Sequence, residues 1–210
     1  MTTTSASKPV KQSILDAAQL IVSKKGFSAV GLNEVLQAAN VPKGSFYHYF
    51  GSKDAFGVAL LDDYFETYLK GVEALFQRSD ISEVHKLMLY WQRWIENQTK
   101  GTDAGKCLAV KLGAEVADLS EPMRSALDRG TSRIIKCLED AVSRGIEQRS
   151  LTSDEAPAAL ASRLYSLWLG ASVMAKITRT SVPFEQALLM TSQLLGCTEP
   201  YRNLTPRKQT

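Results

Sequence analysis

Residues 26–53, GFSAVGLNEVLQAANVPKGSFYHYFGSK, decide the fold of this chain: a short amphipathic helix, a tight turn, and a second short helix that is basic, small-sided and aromatic. In the first segment Leu32, Val35, Leu36 and Ala39 recur at helical spacing, so one face packs inward while Asn33 and Gln37 stay outside. The turn falls at Ala39-Asn40-Val41, where Asn40 is one of the few non-glycine residues that tolerates the left-handed backbone of a sharp helix exit. Pro42 opens the next helix, because a missing N–H costs nothing in the first turn and its fixed φ is already helical. Lys43, Gly44 and Ser45 follow, small or basic, where a backbone can come close to a phosphate or a base edge. The arrangement is that of a helix-turn-helix.

The run Phe46-Tyr47-His48-Tyr49-Phe50 divides by spacing. Phe46 and Phe50 share one stripe and are expected to anchor the helix inward, the commoner role of aromatic residues at helical spacing. Tyr47 and His48 lie off that stripe and carry polar tips able to hydrogen-bond phosphate oxygens, which makes them expected DNA contacts.

KGSFYHYFGSKDAF, preceded by GFSAVGLNEVLQAANV, resembles the DNA-binding region of TetR-type bacterial repressors, a likeness that spans roughly residues 10–60. The resemblance implies an all-α homodimer: an N-terminal three-helix helix-turn-helix domain reads double-stranded operator DNA, and a C-terminal helical domain binds a small-molecule inducer and dimerises. By position it puts Lys43, Gly44, Ser45, Tyr47 and His48 on the recognition helix and Lys53 beside a phosphate at the start of the next helix; Asn33, outside on the preceding helix, completes the expected DNA-facing set. Many members carry a hydroxyl residue where Val30-Gly31 stands here, so Gly31 must cap the first short helix at modest cost.

Charge agrees with a local DNA site. The chain has 210 residues, 44% of them hydrophobic, and a formal net charge of +3. Residues 1–53 hold six lysines (Lys8, Lys11, Lys24, Lys25, Lys43, Lys53) against Asp16 and Glu34, so the whole positive excess sits there. Such a patch attracts the phosphate backbone with strong salt dependence, whereas a uniformly basic protein binds nucleic acid indiscriminately. Lys24 and Lys25 are expected to serve the helix dipole before Gly26 instead.

Other classes find little support. No stretch of 18 consecutive apolar residues exists and MTTTSASKPVKQS lacks the apolar segment of a secretory signal, so a cytoplasmic protein with no membrane partner is expected. Cys107, Cys137 and Cys197 are odd in number and widely spaced, fitting neither a disulfide framework nor a zinc site. With only His48 and His85, no nucleophile–base–orienter set or phosphate-binding glycine loop is recognisable; no catalytic residue, metal or cofactor is assigned, and a cysteine-dependent enzyme is the remote alternative.

The pattern predicts helices nearly throughout. Val10, Ile14, Ala17, Ala18 and Ile21 define the first, and a long helix capped by Ser52 runs to Phe76, with Gly57 and Gly71 as possible bends. Further helices are expected near 80–98, 105–118, 120–146, 153–178 and 182–196. The expected domains are 1–53 for DNA binding, 54–197 for inducer sensing and dimerisation, and 198–210 as a flexible tail. Ala158, Ala161, Leu164, Tyr165, Trp168 and Leu169, with Phe184, Ala187, Leu188, Thr191 and Leu195, fit a dimeric four-helix bundle, although intrachain core explains each residue equally well.

An inducer pocket is expected around Trp91, Trp94, Tyr165 and Trp168, with Met88, Tyr90, Met123 and Met174 nearby. The segment GKCLAVKLG places Cys107 in the first turn of a helix, where unpaired N–H groups, Lys106 and Lys111 favour a thiolate, although an arbitrary cysteine is more often inert and buried. GKCLAVKLGAEVADLSEPMRSAL and SLWLGASVMAKITR resemble the NemR-like, electrophile- and oxidant-responsive branch of the TetR-type repressors, and that resemblance implies a sensor role for Cys107. Lys176, a lone charge on an apolar helix, is the second sensor candidate: it either snorkels to the surface or faces the pocket, where it could activate or trap an oxidised sulfur. A purely non-covalent inducer, with Cys107 as pocket wall, is the alternative.

Overall fold

The computed structural model describes residues 9–99 and 107–196, which form nine α-helices and no strand. In chain order these are α1 (Val10–Lys25), α2 (Leu32–Ala38), α3 (Lys43–Phe50), α4 (Lys53–Phe76), α5 (Glu83–Thr99), α6 (Leu108–Leu119), α7 (Glu121–Glu147), α8 (Pro157–Thr178) and α9 (Val182–Leu194). The expected tail 198–210, Cys197, Lys8 and the loop that carries Lys106 lie outside the described residues.

The chain folds as two compact units. The first takes residues up to Thr67 together with Thr102–Gly130, and the second takes Tyr68–Gly101 and Thr131 onward. The three N-terminal helices therefore share a unit with α6 and with the first parts of α4 and α7. Both α4 and α7 begin in the first unit and end in the second.

In the first unit, α1 buries Ile14, Leu15, Ala18 and Val22 on one face and stops at Gly26, whose φ of +88° favours glycine. The exit of α2 follows the Schellman pattern: Asn40 has φ 54°, Val41 N–H donates to the Leu36 carbonyl at 3.0 Å and Asn40 N–H to Gln37 at 3.1 Å. Gly31 caps α2 without any side-chain hydrogen bond, as the missing hydroxyl requires. Pro42 is the cap residue of α3 and Lys43 its first helical residue, one position later than expected. Ser52 caps α4, its Oγ accepting from the Ala55 N–H at 3.0 Å. Gly57, expected as a bend, lies within an unbroken α4; a Cβ there would collide with the Met123 side chain and the Phe27 ring, so its function is close approach. On α6, Leu108, Leu112 and Val116 recur every four residues and are fully buried.

The second unit has an aromatic core. Trp91 and Trp168 stack with centroids 4.9 Å apart and planes at 5°, Trp94 meets Tyr165 edge-on at 5.8 Å, and Phe184 lies 6.2 Å from Trp168. Ion pairing supports α5: buried Glu83 takes Lys86 at 2.6 Å and Arg144 of α7 at 3.2 Å, while Lys86 Nζ donates to the Phe76 carbonyl at the end of α4. Helix α8 starts at Pro157, four residues later than expected, because Ser153-Asp154-Glu155 form a turn in which Ser153 Oγ accepts from the Glu155 N–H. Of the residues considered for a subunit interface, Ala161, Leu164, Tyr165, Trp168, Phe184, Ala187, Leu188, Thr191 and Leu195 are buried within the chain. Leu169 is half-buried and Ala158 exposed, and the large apolar side chains that remain exposed on these helices are Val173, Met174 and Ile177 of α8 and Val182, Leu189 and Met190 of α9. Met174 is thus a surface residue, and Met123 belongs to the first unit; neither joins the aromatic core.

Candidate nucleic-acid interface and sensor residues

Helix α3 has eight residues, too few to be stable alone, so packing must hold it. Phe46, 1% exposed, does this: its ring lies 5.2 Å from both Phe50 and Phe56, and Phe50 lies 5.0 Å from Phe56. The stripe expected to face inward is the one that is buried. Turned the other way are Lys43, Gly44, Tyr47 and His48, all exposed, with Ser45 half-buried. Nothing stands within 4 Å of the Cβ position of Gly44, so the backbone on that side is open to a close partner.

Asn33, exposed on α2, and Lys43 line one concavity of about 490 Å³ along the turn between the two helices, together with Gln37 and Asn40. Tyr47 and Lys53 line a second, more apolar cavity of about 260 Å³, where the Lys53 ammonium lies 5.3 Å over the Phe27 ring. Of the seven expected DNA-facing residues, Asn33 lies on α2, Lys43, Gly44, Ser45, Tyr47 and His48 on α3, and Lys53 at the start of α4. Lys25, by contrast, is engaged by Glu34 at 2.5 Å.

Sequence reasoning missed Glu115 and singled out Lys111 only for its charge near Cys107; both, on α6, hold this module from behind. Glu115 Oε1 accepts from the Ser28 N–H at 2.6 Å and Oε2 from the Phe27 N–H at 3.2 Å; Lys111 Nζ donates to the Lys24 carbonyl at 3.0 Å. Burial by itself would raise the Glu115 pKa, but the hydrogen bonds from Ser28 and Phe27 and the charge of Lys111 outweigh it and hold the carboxyl below its ordinary value. The backbone groups involved are those left over where α1 ends, and a partner for them was foreseeable. Its position, 87 or 88 residues further along, was not.

Cys107 is 5% exposed and caps α6, with Leu108 as the first helical residue, so the expected placement at a helix start holds to within one position. Lys176 is exposed, as the snorkelling alternative requires, and lines a cavity of about 370 Å³ with Gln98, Ser172 and Arg179. Cys107 belongs to the first unit and Lys176 to the second. Cys137 is half-buried, and its thiol pKa is pushed up first by burial and then by Glu73 and Asp140. The four expected pocket residues lie together in the second unit's core. Trp94 Nε1 donates to Ser172 Oγ at 2.8 Å and Trp168 Nε1 to Thr191 Oγ1 at 2.9 Å, whereas the buried Trp91 Nε1 has no hydrogen-bond acceptor among the described residues. Among those residues no helix is long and apolar enough to cross a membrane, and no group of three or more His, Cys, Asp or Glu could hold a metal ion.

Known proteins share this arrangement. Residues 14–60 match the family described as bacterial regulatory proteins, tetR family, and residues 83–191 match the tetracyclin repressor-like C-terminal domain. The chain is 40% identical to the HTH-type transcriptional repressor NemR of Escherichia coli K12, over 89% of this chain and 94% of that one. It is 31% identical to the HTH-type transcriptional repressor DhaR of Mycobacterium sp. strain GP1, over 94% and 98% of the two chains. The crystal structure of the reduced form of E. coli NemR superimposes with a TM-score of 0.84, covering 89% of this chain and 96% of that chain. An exposed, basic recognition helix within an all-helical chain thus coincides with kinship along nearly its whole length, and the chain belongs to the TetR family of DNA-binding transcriptional repressors.

Proposed function

We propose that this repressor acts as a homodimer whose grip on its operator is released when a reactive electrophile or oxidant modifies Cys107. The observation that carries the reading is the position of Cys107 at the start of α6, where helix N–H groups favour a thiolate and where Lys111 follows one turn later. The likeness to NemR, one solved form of which is described as reduced, supports redox chemistry as the signal. Lys43, Gly44, Ser45, Tyr47 and His48 meet the major groove, with Asn33 and Lys53 alongside. An inducer needs only a few kcal/mol of preference for the released state to weaken binding about a hundredfold.

The proposal extends to Lys176 as the amine that traps oxidised sulfur. Peroxide takes the thiol to a sulfenic acid with release of water, and attack of the neutral amine on sulfur expels a second water, leaving an S–N bond. The product is two hydrogens lighter than the reduced chain. Intact mass after mild oxidant reads it: a product unchanged by Lys176→Ala removes this role.

A second reading, a non-covalent inducer, draws on Trp91. Its buried N–H could meet a carbonyl or carboxylate oxygen among Trp94, Tyr165 and Trp168. Titration of a promoter fragment with wild type and Cys107→Ser, with and without N-ethylmaleimide, at two salt concentrations, tests these readings together. Covalent sensing requires that the reagent weaken wild-type binding and leave Cys107→Ser unaffected. Equal release of both proteins overturns it.

A further inference from the structure

Cys107, Lys111 and Glu115 are spaced by four and so lie along one stripe of α6, about 12 Å from end to end. On the adjoining stripe Leu108, Leu112 and Val116 are fully buried, so this helix is firmly seated in the first unit and its polar stripe has a fixed direction. The far end of the stripe touches three backbone groups of the helix-turn-helix domain: the Lys24 carbonyl in the last turn of α1 and the N–H groups of Phe27 and Ser28 in the connection to α2. Gly26, with φ +88°, turns the chain so that those two N–H groups converge on one carboxylate, and the Cβ of any larger residue would point at Glu115 Oε2.

We propose that Glu115 and Lys111 are positioning residues through which α6 sets the placement of the helix-turn-helix, so that a change at Cys107 reaches the recognition helix through the α1–α2 connection. The two side chains act as opposite jaws: the lysine holds a carbonyl at the end of α1 and the carboxylate holds amides at the approach to α2. Hydrogen bonds of this kind fail within a few tenths of an ångström to one ångström of displacement, so a shift of α6 is either followed by the α1–α2 connection or breaks the contacts. For its input this inference rests on the sensing role of Cys107; the contacts themselves do not depend on it.

The test compares wild type with Glu115→Gln and Lys111→Met, using amide hydrogen exchange and operator affinity before and after N-ethylmaleimide, with every protein brought to the same extent of Cys107 alkylation by intact mass so that any effect of Lys111 on the thiol drops out. Exchange at Phe27 and Ser28 is expected to rise by about tenfold or more in Glu115→Gln while that at Phe46 stays put, since only the local opening changes. Where wild type loses about a hundredfold in affinity on alkylation, both variants are expected to lose about tenfold or less, with unmodified binding within about threefold of wild type. Unchanged exchange at Phe27 and Ser28, or an undiminished loss of affinity in both variants, overturns the inference. A wild type that is indifferent to the reagent sinks the sensing role instead, and the exchange result then decides the grip alone. Should Glu115→Gln fail to fold, Lys111→Met carries the affinity comparison, in which an undiminished loss overturns the inference.

Discussion

Adjacent residues on α3 have opposite fates, which makes them separable by mutation. Phe46 is 1% exposed against Phe50 and Phe56, so Phe46→Ala is expected to destabilise the protein by about 3–5 kcal/mol in denaturant unfolding. Tyr47 is 56% exposed, and Tyr47→Ala should leave the unfolding midpoint nearly unchanged while weakening operator binding. A large stability loss at Tyr47 with unaltered DNA affinity would reassign it to the core. Cys137 allows a separate check on thiol chemistry. Burial and the nearby Glu73 and Asp140 raise the Cys137 thiol pKa, so its thiolate fraction at neutral pH is smaller than that of an unperturbed cysteine. Iodoacetamide should therefore modify Cys137 slowly at pH 7 and faster only as the pH rises past the ordinary thiol range; site-resolved mass spectrometry reads the rate. Rapid labelling of Cys137 at pH 7 would contradict this.

At the scale of elements, the turn between α2 and α3 determines where α3 points. Asn40 with φ 54° is tolerated in a conformation that costs most side chains about 1–2 kcal/mol. Asn40→Val should lower stability by that amount, whereas Asn40→Gly should be neutral or slightly stabilising; thermal unfolding of both variants checks the sign. The elements themselves were largely legible. Asn40, the proline before α3 and the Ser52 cap are local signals, because turn and cap chemistry acts within a few residues. Where sequence reading slipped, a local competitor was overlooked: a helix was expected from residue 153, but the Ser153 side chain binds the Glu155 amide and α8 begins only at Pro157.

For the whole molecule, the exposed apolar face of α8 and α9 is the proposed contact between subunits, since an isolated chain gains nothing by exposing Ile177 at 68% and Leu189 at 61%. Ile177→Glu combined with Leu189→Glu should yield monomers in sedimentation velocity and lose operator affinity about a hundredfold or more, because two recognition helices can no longer engage both half-sites. A dimer that survives both changes excludes this face. The net positive charge carried by residues 1–53 predicts a steep salt dependence, and Lys43→Ala should reduce its logarithmic slope by about one.

The sequence alone determined the helix-turn-helix, the inward stripe of Phe46 and Phe50, the positive end of the chain and the order of the helices. Each rests on periodicity, backbone preference or charge, properties carried by residues close together in the chain. Tertiary structure decided which apolar face of α8 and α9 is intrachain core and which remains exposed, because both faces read as apolar. It also decided that Glu83 and Lys86 are buried with Arg144, and that Glu115 serves amides 87 and 88 residues away. A hydrogen bond or ion pair across such separations leaves no periodic trace; only the packing of α6 beside the end of α1 brings its partners within reach.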